Sequence, residues 1–259
     1  MSLEPIPLPQ LLIALIPALV VVGLMWRLQL GHRKALYGLA RMLTQLLLIG
    51  YVLIYIFQAE SSLIVLAVLL VMVLASSWIA LGSIEQSGNN RGDGHNIARH
   101  SRRSLYLSSL LAISIGGGTT LALITQGVLQ LEPWFEPRYL IPLAGMVFAN
   151  SMNSISLAAE RLFSELNHGS SPAQAQQTAF QAAMIPVVNS LFAVGLVSLP
   201  GMMTGQILSG VSPFIAARYQ IMVMAMIFGS AGISTALFLY WTRQSMTVVQ
   251  PPGNDSADS

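Results

Sequence analysis

From Ser62 to Leu81 the chain reads SLIVLAVLLVMVLASSWIAL, without one charged residue. Once such a run leaves water, every backbone N–H and C=O must find a partner within the protein, and a helix is the local structure that supplies one. About 20 residues at a rise of about 1.5 Å each cross a hydrocarbon core about 30 Å thick. Runs of this kind lie near residues 10–26, 42–57, 63–82, 105–128, 139–158, 187–209 and 214–240. The sequence therefore predicts an all-α, polytopic integral membrane protein with about seven transmembrane helices. The run at 42–57 is short and needs residues from its flanks. Only Gly210–Pro213 separates the last two runs, so six spans with one re-entrant segment is the other count the sequence allows.

Orientation follows from the basic residues in the loops. With the N-terminus outside, Arg27, Arg33, Lys34, Arg41, Arg91, Arg99, Arg102, Arg103, Arg161 and Arg243 all face inward, ten of the twelve Lys and Arg. Only Arg138 and Arg218 fall outside, so the N-terminus is expected out and the C-terminus in. Charged residues are 8% of the chain against about a quarter in soluble domains. A net charge of +2 gives nucleic-acid binding no support, and the absence of cysteine removes disulfides, thiolate metal sites and cysteine nucleophiles together. The start, MSLEPIPLPQ, lacks a basic n-region, so the run after it reads as a retained span and not a cleaved signal.

Chemistry inside the spans is sparse. His32, His95, His100 and His168 lie in inner segments, and the carboxylates lie in loops, at the termini or, for Glu160, at the inner edge of a span. A proton relay needs buried ionisable groups. A hydrolase needs a nucleophile with a base, or a metal with its ligands, and no HExxH, GxSxG or paired aspartates occur in a span. The chain is expected to be no enzyme and to hold no cofactor of its own. Gly116–Thr120, GGGTT, lacks the lysine of a phosphate loop and reads as close helix packing through small residues.

Three segments remain. RLQLGHRKALYGLAR, from Arg27, is either an amphipathic helix on the inner surface or a plain basic loop. In AERLFSELNHGSSPAQAQQTAFQAAMIP, Gly169 can end one helix, Ser170 or Ser171 can cap the next, and Pro172 suits a first helical position. A short helix, AQAQQTAFQAA, is expected after it, forming either a docking surface or an ordinary surface hairpin. In SLPGMMTGQILSGVSP, Pro200 and Gly201 stand side by side in an apolar run, where a helix must kink or stop.

HGSSPAQA, MIPVVNS, VGLVSLPGMMTGQILSGVSP and ARYQIMVM together resemble the Fet-type permease family. Those are membrane subunits of ATP-binding-cassette (ABC) transporters associated with bacterial iron export and similar to plant aluminium-sensitivity proteins. The resemblance is strongest from Gly169 to about Met224. It implies one transmembrane permease domain over 1–245 and a multi-pass location in the bacterial inner (plasma) membrane among lipids; the tail over 246–259, reading QPPGNDSADS from Gln250, is outside the resemblance and is expected to be disordered and cytoplasmic from its composition. It also implies a homodimer working with a separate ABC-type subunit that binds the ATP. Gly169, Ser170, Ser171, Pro172, Ala173, Gln174 and Ala175 resemble the loop through which ABC permeases couple to their ATPase, although neither Glu160 nor Glu165 cleanly matches its acidic start. An Asp and a Lys of the family pattern fall here on Asn189 and Phe192, neighbours on a helix, which puts the family's substrate in question.

The expected activity is export of iron, another metal ion or a small solute. An ATPase-independent transporter or channel, or a membrane scaffold, is the alternative. Candidate donors in the spans are Met146, Met152, Met202, Met203, Met222, Met224 and Met226 with Gln45, Asn150, Asn153, Asn189 and Gln206, and they form no recognisable metal site. Thioethers suit soft ions better than iron, and methionine in an apolar helix commonly fills gaps. Leu199, Pro200, Gly201, Met202, Met203, Gly205 and Gln206 are the expected outer gate at the subunit interface, a kinked span with freed carbonyls facing the pathway. A kink that only fits the span to its neighbours is the other reading.

Overall fold

The computed structural model describes residues 7–58, 61–82 and 102–247. The inner loop with Arg91, His95, Arg99 and His100 lies outside the described residues, as does the tail expected over 246–259 apart from Met246 and Thr247, which end the last helix. The chain divides into two compact units, Met1–Glu60 and Ser61–Ser259.

The first unit is a helical hairpin. α1 (Leu8–Ala14) and α2 (Ile16–Arg27) meet at Leu15 and together supply one span, Pro9–Arg27. A tight turn follows, with Gln29 and Gly31 at φ 56° and 38° and the Leu30 amide donating to the Met25 carbonyl at 2.8 Å. α3 (His32–Phe57) then runs 26 residues without interruption. The basic stretch after Arg27 is therefore neither a separate surface helix nor a loop, because from His32 onward it forms the first turns of the second span. That settles where the short run at 42–57 finds its extra length. Leu46, Leu47 and Tyr51 are more than half exposed, as suits side chains that meet lipid.

The second unit carries the core. α4 (Ser62–Leu81) is followed by a composite span: α5 (Arg102–Ala112), a π-helical turn at Ile113–Gly117, α6 (Gly118–Ala122) and a second π turn at Leu123–Val128. α7 (Pro137–Asn167), α8 (Pro172–Ala193), α9 (Gly201–Leu208) and α10 (Pro213–Thr247) complete it. α7 packs against α4, α8 and α10, burying Leu140, Ala144, Val147, Ser151, Ile155, Ala158 and Leu162 at helical spacing. Pro142 and Pro186 sit inside α7 and α8 without ending them.

Gly116 and Gly117 explain how the composite span approaches its neighbours. A Cβ on Gly116 would stand 2.6 Å from the Ser234 hydroxyl oxygen, and one on Gly117 would stand 2.9 Å from Val147 Cγ1. Close packing through small residues is thus what GGGTT does here. Buried hydroxyls in this seam are satisfied within the protein: Thr120 donates to the Gly116 carbonyl at 2.7 Å and Thr125 to the Leu121 carbonyl at 3.0 Å on their own helix, while Ser234 on α10 donates across to the Ser151 hydroxyl on α7 at 3.2 Å.

Six helices among the described residues are long and apolar enough to cross a membrane, one fewer than the sequence predicted. The segment expected as a span at 187–209 is the difference. Its first part is the end of α8, a 22-residue helix that starts at Pro172, so AQAQQTAFQAA is no short helix of its own. Its last part is the eight-residue α9, and residues 194–200 between them are not helical.

Candidate functional site: the two ends of α8

At its N-terminal end α8 makes a tight hairpin with α7. Gly169 takes φ +83°, a conformation that side chains disfavour, and Ser170 N–H reaches back to the Glu165 carbonyl at 3.1 Å. Ser171 is the N-cap, its hydroxyl oxygen accepting from Gln174 N–H at 3.4 Å, and Pro172 opens the helix. Glu165 ties the turn from below: one carboxylate oxygen pairs with Arg161 at 2.7 Å and the other accepts from the Ser170 hydroxyl at 2.8 Å. The tip, from Asn167 to Gly169 and from Ser171 to Gln174, is exposed. Beside it, α8 and α10 frame a groove of about 800 Å³ that includes Ala173, Gln176, Phe180, Gln181, Tyr240 and Arg243. Gln176 crosses that groove's floor, donating to the Leu239 carbonyl at 2.8 Å.

At its other end α8 stops where the sequence places no proline. Gly195 adopts φ +84°, and the amides of Leu196, Val197 and Ser198 turn back onto the Ala193 carbonyl at 3.3, 2.8 and 3.1 Å. Gly195 N–H donates to the Ser198 carbonyl at 3.0 Å. Pro200 is then the N-cap of α9, with extended backbone and no N–H to leave unpaired. Thr204 bonds back onto this end, its hydroxyl donating to the Pro200 carbonyl at 3.1 Å. One expectation is corrected here: Pro200 and Gly201 do not kink a continuous span; they begin a new helix after the break at Gly195. The carbonyls of Ala193, Ser198 and Pro200 are taken up by these local bonds.

The break opens onto a cavity. α8 and α9 both lie along α10, in antiparallel order: Gln176 meets Leu239, Met184 lies against Gly232, Val187 packs with Ala231, and Met203 faces Ala217 and Gln220 across the void. About 450 Å³ is left unfilled between Leu191, Val194, Met203, Gln220, Met224 and Phe228. Met203 and Met224 therefore line a space and do not fill it.

The other predicted donors do not converge there. Asn150 donates from Nδ2 to the Met146 carbonyl at 2.8 Å on its own helix, while Asn153 and Asn189 are exposed at separate places on α7 and α8. Phe192 is 77% exposed, and Asn189, one turn before it on α8, is exposed as well. Of the gate residues, Leu199, Gly201 and Gly205 are exposed, Pro200 and Met202 are half-buried, Met203 lines the cavity, and Gln206 Oε1 is shielded without a hydrogen-bond partner. Met226 is buried. Among the described residues, no three His, Asp or Glu side chains come together as metal ligands would.

Gln220 is the residue that sequence reasoning passed over. It is 5% exposed, its Oε1 has no partner, and it borders the cavity. The signal was present in ARYQIMVMAMIF, where Ala217, Gln220, Ile221, Met224, Ala225 and Phe228 recur at the spacing of one helix face.

Six apolar spans, long paired helices and a helix broken beside a cavity define a multi-pass membrane protein. Over residues 8–247 the chain matches the family described as "Uncharacterised protein family (UPF0014)", and it belongs to that family. It is 35% identical over 227 residues to the Escherichia coli protein named "Probable iron export permease protein FetB", covering 82% of this chain and 80% of that one. It is 33% identical over 246 residues to "Protein ALUMINUM SENSITIVE 3" of Arabidopsis thaliana, covering 88% and 84%. With "UPF0014 membrane protein STAR2" of rice it shares 32% identity over 235 residues, covering 85% and 76%. No solved structure matches significantly.

Proposed function

We propose that this chain is the permease subunit of an ABC exporter of the bacterial inner membrane, one domain over 1–245 that works as a homodimer with separate ATP-binding subunits. The observation that carries this reading is the 35% identity to a named export permease over four-fifths of both chains. Iron is the cargo in that relative's name, and a metal ion or small solute is the cargo class proposed here. ATP is bound by the partner.

The hairpin supports the docking half of the reading. Within Gly169–Ala175, Gly169 and Ser171–Gln174 present an exposed, capped tip, braced by the Arg161–Glu165 pair below it, beside a groove with glutamine amides and Arg243 along it. Such a tip transmits a push from a partner because Glu165 and the cap hold it to both helices. At the opposite end, Leu199–Gln206 is proposed as the gate, moving as α9 on the break at Gly195. α8 and α9 follow α10 over its length, so they form a discontinuous passage that returns the chain across the bilayer, in keeping with an outer N-terminus and an inner C-terminus.

Co-expression with the ATP-binding protein tests the assignment. The chain alone should hydrolyse no ATP, and the complex should copurify and hydrolyse it. Gly169→Val and Pro172→Gly should each lower association or hydrolysis several-fold while the chain still melts cooperatively. Normal association and transport in both would make the hairpin a plain surface turn, and a chain that transports without any ATPase would return the alternative of a secondary transporter or channel. For orientation, cysteines at Asn90 and Gly253 should resist an impermeant thiol reagent in intact cells while one at Ser61 labels. Labelling at Asn90 would reverse the topology.

A further inference from the structure

The turn that joins α2 to α3 gathers cations around a recess. α2 ends in a Schellman arrangement: Leu30 N–H donates to the Met25 carbonyl at 2.8 Å and Gln29 N–H to the Trp26 carbonyl at 3.1 Å, with Gln29 at φ 56°. Gly31, at φ 38°, then caps α3, its carbonyl accepting from Lys34 N–H at 2.9 Å. So tight a reversal brings the end of one span and the start of the next around a space of about 580 Å³, and Trp26, Arg27, Arg33 and Lys34 line it. The three cations have no counter-charge of their own. From Pro5 to Ala59 the chain contains no Asp or Glu, and among the described residues the side chains of Arg27, Arg33 and Lys34 have no ion pair, hydrogen bond or ring contact. Like charges this close repel, so the recess favours an anion.

Length decides which anion. The 26 residues of α3 make about 39 Å of helix, roughly six residues more than a hydrocarbon core about 30 Å thick requires. Its far end, YVLIYIF, is apolar, so the surplus falls at the basic end and places His32 to Tyr37 in the headgroup layer. The first span, Pro9–Arg27, ends at the same boundary. Trp26 and Tyr37, 69% and 68% exposed, are amphipathic rings of the kind that settle at this depth. Leu28 and Leu30, also exposed, set apolar surface directly beside the cations. A soluble anion would use only the charges. A lipid with an anionic headgroup uses both the charges and the leucines.

We propose that this turn binds an anionic phospholipid, with the headgroup phosphate held among Arg27, Arg33 and Lys34 and the acyl chains lying along Trp26, Leu28 and Leu30. The site rests on the membrane fold and not on the permease reading, so either can fail without the other.

Trp26 is a reporter already in place, because brominated acyl chains quench tryptophan on contact. The full chain is reconstituted in phosphatidylcholine bilayers that carry increasing amounts of dibrominated phosphatidylglycerol or, in parallel, dibrominated phosphatidylcholine. The Trp26 signal is the difference between the chain and its Trp26→Phe variant. Phosphatidylglycerol should reach half-quenching at a roughly tenfold lower mole fraction than phosphatidylcholine, as several cations at one headgroup would give. Arg27→Gln, Arg33→Gln and Lys34→Gln should each reduce that preference several-fold, and the triple variant should remove it. Arg41→Gln makes the same charge change farther along α3 and outside the recess, so most of the preference should survive it. All these side chains are exposed, and melting and size-exclusion profiles identify any variant that fails to fold; if the triple variant does, the three single variants decide. Equal quenching by the two lipids in the unmodified chain would overturn the proposal. A loss in Arg41→Gln equal to that in Arg33→Gln would overturn it in favour of a diffuse field over the inner surface. Displacement of the lipid by millimolar inorganic phosphate, but not by chloride at matched ionic strength, would make the recess a soluble-anion site instead. Displacement by the ATP-binding protein would reassign the turn to a protein contact.

Discussion

Gly116 and Gly117 in the composite span, and Gly201 and Gly205 in α9, are the same residue in opposite circumstances. Glycine inside a helix costs about 0.5–1 kcal/mol relative to alanine, so each position needs something that offsets the cost. At Gly116 the answer is inside the protomer: a Cβ would meet the Ser234 hydroxyl at 2.6 Å and its backbone nitrogen at 2.7 Å. At Gly201 and Gly205 a Cβ would meet nothing within 4 Å. The first pair closes a seam that holds the unit together. The second pair leaves a face of α9 open, beside a break whose Leu196 and Val197 are 91% and 84% exposed.

Gly116→Leu is the sharpest way to break that contrast. Ser234 is buried and mid-helix, so its backbone cannot retreat, and the clash should cost about 3 kcal/mol or more. Thermal unfolding in detergent should show a large drop in melting temperature together with poor membrane yield. A well-behaved Gly116→Leu protein would mean that the seam between the composite span and α10 is looser than drawn. Gly195→Val comes next. Its surroundings are empty, so only the left-handed backbone at φ +84° resists, at about 1–2 kcal/mol. Melting should fall modestly, while ATP hydrolysis by the assembled complex falls further because α9 is re-aimed. Unchanged melting and hydrolysis would show that something other than Gly195 sets the break.

Legibility in the sequence followed the length scale of the signal. The spans were readable because charge-free runs of bilayer length admit few structures, and the hairpin was readable because Gly169, Ser171 and Pro172 each act within a residue or two of themselves. The break was misplaced for a related reason. Pro200 advertises an interruption, but a proline can also open a helix, and the conformation of Gly195 depends on amides three to five residues beyond Ala193 folding back together. Gln220 was passed over because its meaning is tertiary. An amide in an apolar run looks like any other until α9 arrives and Met203 and Gln220 come to line the same space.

The smallest expected effect on stability belongs to Gly201→Leu, and it carries the most information about the open face. With empty space around the position and an ordinary helical backbone, the substitution should change the stability of the protomer by no more than about 0.5 kcal/mol. Leucine is the better helix former, so the sign can even be favourable. Small residues four apart on a membrane helix serve close approach to another helix. If a second copy or a moving neighbour uses the face of Gly201 and Gly205 during transport, a leucine there holds the two apart. Hydrolysis and transport by the assembled complex should then fall several-fold in a protein whose melting curve has not moved. A variant with wild-type transport would leave the glycines facing lipid throughout the cycle, and the gate would have to be sought along α10 instead.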